Sequence, residues 1–195
     1  MYKAARISLE EAWSIMDSDS DQKETCHYYL VLSRVKLNKK NTDKLVQEFL
    51  NAHPSKIRKN QLYLEVGNHY YDSKEPTKAL QWFLQVSVEF MSPQQREAYR
   101  FKMGYAYFID KNYPKAKEYL LTLTTSKKYL NDSHYYVGYI AYLEENFEVA
   151  LKHFESLENV DRYQKELAYY KVNIQFKQKK YEQARSAYDP KSALQ

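Results

Sequence analysis

The sequence predicts an all-α fold, an α-solenoid of stacked antiparallel helix pairs, and three observations carry that prediction. An aromatic residue followed three positions later by Ala recurs as Tyr113-Pro-Lys-Ala116, Phe147-Glu-Val-Ala150 and Tyr181-Glu-Gln-Ala184, with Pro76-Thr-Lys-Ala79 as a variant. These alanines are 37, 34 and 34 residues apart, and four residues after each stands a large side chain: Phe83, Leu120, Phe154 and Tyr188. All 3 glycines of the 195-residue chain, Gly67, Gly104 and Gly138, stand twelve residues before one of these alanines. Period and content describe one supersecondary unit repeated along the chain. A small residue lets a facing helix approach, and a large one fills the hole beside it. One pair of about 34 residues cannot bury its own apolar face, so neighbouring pairs must cover it.

Each element follows from its place in the repeat. Residues 1–16 read as a lone second helix, because Tyr2-Lys-Ala-Ala5 and Leu9 carry the second-helix signature with no first helix before them. Residues 24–53 form a degenerate pair, with Ser33 in the glycine place and Leu45 and Phe49 in the Ala and Phe places. Residues 58–91 hold Gly67, Ala79 and Phe83; residues 93–125 hold Gly104, Ala116 and Leu120. Pro76 and Pro93 suit a first helical turn, where a missing amide hydrogen costs nothing. Residues 130–157 hold Gly138, Ala150 and Phe154, and residues 162–188 repeat the pattern with Val172, Ala184 and Tyr188. Within a unit, Asp110-Lys-Asn112, Glu144-Glu-Asn146 and Gln178-Lys-Lys180 read as polar turns, the Asn taking the left-handed conformation that closes a helix. The whole, 1–195, reads as a single domain of about five helix pairs with truncated ends, an excised segment of a longer protein.

Composition removes several function classes. The 3 glycines disfavour a turn-rich sandwich or barrel. Lys and Arg exceed Asp and Glu by 5, but the pairs Lys39-Lys40, Lys127-Lys128 and Lys179-Lys180 are short and interleaved with acids, so the excess reads as a solvated helix surface. No apolar run reaches membrane-spanning length. The single cysteine, Cys26, excludes an internal disulfide and a cysteine zinc cluster. His27, His53, His69, His134 and His153 stand at no metal-ligand spacing and read as surface or helix-packing residues. Asp17-Ser-Asp19-Ser-Asp21 resembles the start of a calcium loop, but Gln22 and Tyr28 occupy the places of its Gly and Glu. No phosphate loop or nucleophile elbow is present, so no enzyme, metal or cofactor is expected.

The repeats resemble the tetratricopeptide family. Tyr63, Val66-Gly67, Tyr70, Ala79 and Phe83 follow its pattern; so do Met103-Gly104, Tyr107, Ala116 and Leu120, with Phe101 one place late. Gly138, Ala150 and Phe154 follow it again, with Ala141 in the Tyr place. The resemblance implies a right-handed superhelix whose first helices line a concave groove. Asn68, Tyr71, Phe101, Tyr105, Phe108, Tyr135, Tyr139, Tyr142, Tyr169, Asn173 and Phe176 would then line it, a nearly continuous aromatic surface for a peptide or protein partner. Asn68 matches one residue of the family's carboxylate clamp, but Leu64 and Phe101 stand where its Lys is expected. A looser resemblance, carried by residues 5–11, 102–108 and 136–142, is to long repeat proteins of the Gram-negative cell envelope described as components of the TonB system. It implies a periplasmic or envelope scaffold that binds protein, not nucleic acid, without inserting in a membrane; self-association is compatible with it. The alternatives are a cytoplasmic peptide-binding adaptor or chaperone, an RNA-binding helical repeat and a pure spacer.

Overall fold

The computed structural model describes residues 2–16, 21–37 and 42–187, with side chains at 7–16, 21–37 and 42–182. Asp17 to Ser20, Tyr188 and the side chains of Tyr2, Ala5 and Ala184 therefore lie outside the described residues. Among those described the protein is all-α, with ten α-helices and no strand. They are α1 (Tyr2–Ile15), α2 (Asp21–Lys36), α3 (Thr42–Ala52), α4 (Lys56–Asp72), α5 (Pro76–Phe83), α6 (Pro93–Ile109), α7 (Tyr113–Leu121), α8 (Leu130–Leu143), α9 (Phe147–Glu155) and α10 (Asp161–Ala187), with a short 3-10 turn at Val88–Phe90. None is long and apolar enough to cross a membrane. The chain divides into two compact units, residues 1–110 and 111–195.

In the first unit α1 packs on α2, α2 on both α3 and α4, α4 on α5, and α5 on α6. Tyr28, Val31, Val35, Val46, Phe49, Leu50, Leu62 and Val66 form one core, and Trp82 packs against it. Ser33, in the glycine place, is buried and returns its hydroxyl to the Leu30 carbonyl at 2.8 Å. Its hydrogen-bonding need is thus met inside its own helix. Gly67 has ordinary helical backbone, so its role is space: a Cβ there would lie 2.5 Å from the Phe83 ring. Asn60 is buried and acts as a surrogate backbone, donating to the Ser87 carbonyl at 3.1 Å and accepting from the Ser87 amide at 2.6 Å. That bond pair pins the connection between α5 and α6. Pro76 and Pro93 sit in first turns as expected, and Ser92 with Gln95 closes a reciprocal capping box on α6.

In the second unit α7 packs on α8, α8 on α9, and α10 on both α8 and α9. Ala141, Phe147, Ala150, Phe154, Leu157, Tyr163, Leu167 and Ile174 form its core. Ala116, Leu120, Ala150 and Phe154 are all fully buried, as the repeat predicts. A Cβ on Gly138 would meet the Phe154 ring at 2.7 Å and His153 Cβ at 3.1 Å.

The turns correct two expectations. The left-handed residue is not Asn but the residue before it, Lys111 (φ 60) and Glu145 (φ 58), with Lys74 (φ 65) in the equivalent place. Asn112 and Asn146 have negative φ, and their side chains accept from the amides of Lys115 and Val149, capping the next helix. The third turn, Gln178-Lys-Lys180, is not a turn: α10 runs unbroken through it. Lys180 stands where Asn112 and Asn146 stand, and an ammonium cannot accept an amide hydrogen. Gln and Lys are also good helix formers, so nothing stops the helix there. Holding a side-chain-bearing residue at positive φ costs about 1–2 kcal/mol. Lys74→Gly should therefore stabilise the chain by about 0.5–1 kcal/mol in urea denaturation; a destabilised variant would contradict the turn geometry.

Candidate functional site

The predicted groove residues fall into two sets, one in each unit. In the first unit Asn68 and Tyr71 lie on α4 and Phe101, Tyr105 and Phe108 on α6, all of them half-buried. Tyr71 and Tyr105 meet edge-on at 5.6 Å, and Tyr105 leans on Phe108 at 6.5 Å. Lys102, which sequence reasoning passed over, organises this face. Its Nζ donates to Asn68 Oδ1 at 2.8 Å, lies 3.4 Å from Asp72 Oδ1 and sits 4.8 Å over the Tyr71 ring. Burial holds its ammonium below the usual lysine range, and Asp72 opposes that shift. An ammonium thus reaches Asn68 one place beyond the position searched in the sequence, but it is already engaged by a carboxylate of its own chain.

The second unit carries the denser cluster. Tyr135, Tyr139 and Tyr142 occupy one face of α8 at helical spacing, all half-buried. Tyr135 and Tyr139 stack at 6.5 Å, Tyr139 and Tyr142 at 6.3 Å, and Tyr135 stacks on Tyr163 at 4.8 Å. From α10, Tyr170 packs on Tyr139 at 5.3 Å, Tyr142 at 5.1 Å and Phe154 at 5.6 Å. Burial and a hydrogen bond with Tyr135 push the Tyr170 phenol well above its ordinary range, and burial also raises Tyr139. The Tyr139 and Tyr170 phenols are therefore neutral at physiological pH.

Tyr169 and Phe176 are 64% and 59% exposed; Tyr169 touches the network only at its margin, edge-on to Tyr170 at 5.5 Å, while Asn173 turns its amide back to the Tyr169 carbonyl at 3.0 Å. Tyr170, the neighbour of Tyr169, belongs to the cluster instead. The sequence holds a signal for it: Tyr163, Leu167, Tyr170 and Ile174 repeat at helical spacing and form the inward face of α10. Beside the cluster lies a cleft of about 630 Å³ lined by Glu145, Asn173, Phe176, Lys177, Lys180 and Tyr181. Glu145, held out by its left-handed turn, accepts from Lys177 at 2.9 Å and from the Tyr181 hydroxyl at 2.8 Å. These two bonds hold its carboxyl below the usual range. Lys177 also lies 5.6 Å over the Tyr142 ring, which joins the cleft to the tyrosine face.

Four of the five histidines come together in pairs, and His69 instead packs on Tyr70 at 5.7 Å. His27 Nδ1 and His53 Nε2 are 2.8 Å apart, joining α2 to the end of α3; His134 and His153 meet through their Nδ1 atoms at 3.0 Å, joining α8 to α9. Each pair bridges the two helices of one repeat. Cys26 is buried, donates to the Leu9 carbonyl at 3.2 Å and has its thiol pushed up by burial, so it is a packing residue. Among the described residues no group of three or more His, Cys, Asp or Glu is placed to hold a metal ion. No family model matches the chain, and neither does any curated protein.

Proposed function

We propose that this chain is a tetratricopeptide-like solenoid that serves as a non-catalytic scaffold, holding a peptide or protein partner against its tyrosine faces in the bacterial cell envelope. The observation that carries the reading is the row of half-exposed, stacked tyrosines on α8, Tyr135, Tyr139 and Tyr142, backed by Tyr170. Rigid aromatic rings give large contact area at low entropy cost. Packing of α2 on α4 and of α10 on α8, each skipping one helix, is what stacked helix pairs require. The glycine and phenylalanine pairs, Gly67 with Phe83 and Gly138 with Phe154, support the same register. The envelope siting rests on the sequence resemblance alone.

Comparative affinity capture from the native cell, with the full-length protein, tests this reading. Tyr139→Ser removes the central ring of the row. Lys152→Glu alters an exposed residue of α9 outside it. The expected result is a partner bound by the wild type and by Lys152→Glu, with recovery reduced at least tenfold for a folded Tyr139→Ser. Equal recovery by all three would assign binding to another surface.

A further inference from the structure

α10 carries a second, solvated face, which adjoins the tyrosine cluster where Tyr169 meets Tyr170 edge-on at 5.5 Å. At 100° per residue, Lys165, Tyr169, Val172, Phe176, Lys179 and Lys180 fall within an arc of about 100°. Tyr169, Val172 and Phe176 are 64%, 65% and 59% exposed, an unusual run of large apolar side chains on a single solvated face. All three lysines are exposed, and among the described residues no carboxylate pairs with them. Lys180 lies 4.9 Å over the Phe176 ring, so its charge stands directly on the apolar surface. Arg162 shares the arc but is engaged by Asp132 at 3.0 Å. The acids nearby are Asp161, on the margin of the arc in the first turn, Glu166, about 40° outside it, and Glu182, three residues beyond Lys179 and about 60° outside it. Glu145, in the adjoining cleft, is satisfied by Lys177 and Tyr181.

From this we infer that the α10 face docks an acidic amphipathic segment of a partner protein, its apolar residues on Tyr169, Val172 and Phe176 and its carboxylates on Lys165 and the Lys179-Lys180 pair. The inference rests on the scaffold reading and names the chemistry of the partner. Charge selects the occupant. The same face of a second copy would set lysines against lysines, which opposes self-pairing through α10. The lysines at the two ends of the stripe are separated by about 21–23 Å of helix. A helical partner therefore needs acids about fourteen residues apart, and an extended one about seven. Apolar anchors ringed by complementary charge are the usual anatomy of a specific contact.

The test is selection of a random 16-residue peptide library against the intact chain, followed by fluorescence anisotropy of the selected peptides. The expected peptides are rich in Asp and Glu flanking aliphatic or aromatic residues. Their affinity should fall at least tenfold between 50 and 300 mM salt, and at least tenfold for Lys179→Glu/Lys180→Glu or Phe176→Ser. All these positions are exposed, so the variants should keep the wild-type melting curve, which circular dichroism checks. Selected peptides without acidic enrichment, or equal binding after Glu→Gln replacement in the peptide, would overturn the inference. So would displacement of the peptide by oligouridylate at equal concentration, which would mark the face as a nucleic-acid surface. Peptides lost by Tyr139→Ser but retained by Lys179→Glu/Lys180→Glu would overturn it while leaving the scaffold reading intact. No enrichment from the library would count against both.

Discussion

Phe154→Ala is expected to destabilise the chain by about 3–5 kcal/mol, the cost of deleting a fully buried ring. Gly138→Leu should cost about 1–3 kcal/mol from the opposite cause, overpacking at the same contact. The ring of Phe154 occupies the space where a Cβ on Gly138 would stand, and Tyr170 stacks on the same ring at 5.6 Å. A shift of Phe154 thus disturbs its stacking on the tyrosine face. This coupling makes a sharper prediction than either single change. Gly138→Ala places a methyl 2.7 Å from Phe154 Cε1, whereas a smaller partner would leave room for it. In Gly138→Ala/Phe154→Leu the losses should therefore fall short of additivity by at least about 0.5 kcal/mol. Urea denaturation of the four proteins measures the cycle, and simple additivity would show that the two positions are not in register.

Acidification should be the second large effect. Burial holds His134 and His153 below the ordinary histidine range; their mutual repulsion and Lys152 push the same way for His153, and only the Thr124 backbone opposes for His134. Burial and His53 also lower His27, against Glu48; Glu24 lies 3.9 Å from His53 and is itself drawn toward Arg58. Neutral histidines can share one hydrogen between facing nitrogens, whereas two imidazolium ions cannot. The sign follows directly. Unfolded histidines take up protons near pH 6.5, while folded His27, His134 and His153 do so only at lower pH, so below about 6.5 the unfolded chain binds more protons. Stability is complete above that pH and is lost as pH falls, by up to about 1.4 kcal/mol per pH unit for each extra proton. The fall should be visible between about pH 6.5 and 5, before most carboxylates titrate. His134→Gln/His153→Gln should flatten this slope even if it lowers stability at pH 7.5. A wild-type stability that stays level across the window would contradict the pairing.

What the sequence made legible was governed by local sterics. Ala79, Ala116, Ala150, Phe83, Leu120 and Phe154 could be placed in the core because small and large residues must alternate where helices touch. Gly67 and Gly138 were legible for the same reason, although their value lies in the missing Cβ and not in backbone freedom. The left-handed positions were not, because Lys74, Lys111 and Glu145 are ordinary residues held there by the turn, with no compositional mark. The unbroken α10 could have been read from Lys180, since a missing cap is as informative as a present one. Tyr169 and Tyr170 are adjacent, and an aromatic pair leaves the phase of a helix open by about 100°. The histidine pairs were hidden because their members lie 26 and 19 residues apart, a distance that only the folded repeat closes.

The most direct test of the scaffold account is site-specific photo-crosslinking from position 139, at the centre of the α8 tyrosine row, in the full-length protein inside its native cell. The account predicts an adduct with a defined envelope protein, mapped to one segment of that partner and absent when the photoreactive residue is moved to exposed position 152 on α9. A folded, expressed protein that yields no adduct at position 139 would contradict it, and would leave the tyrosines as packing between repeats and the chain as a spacer.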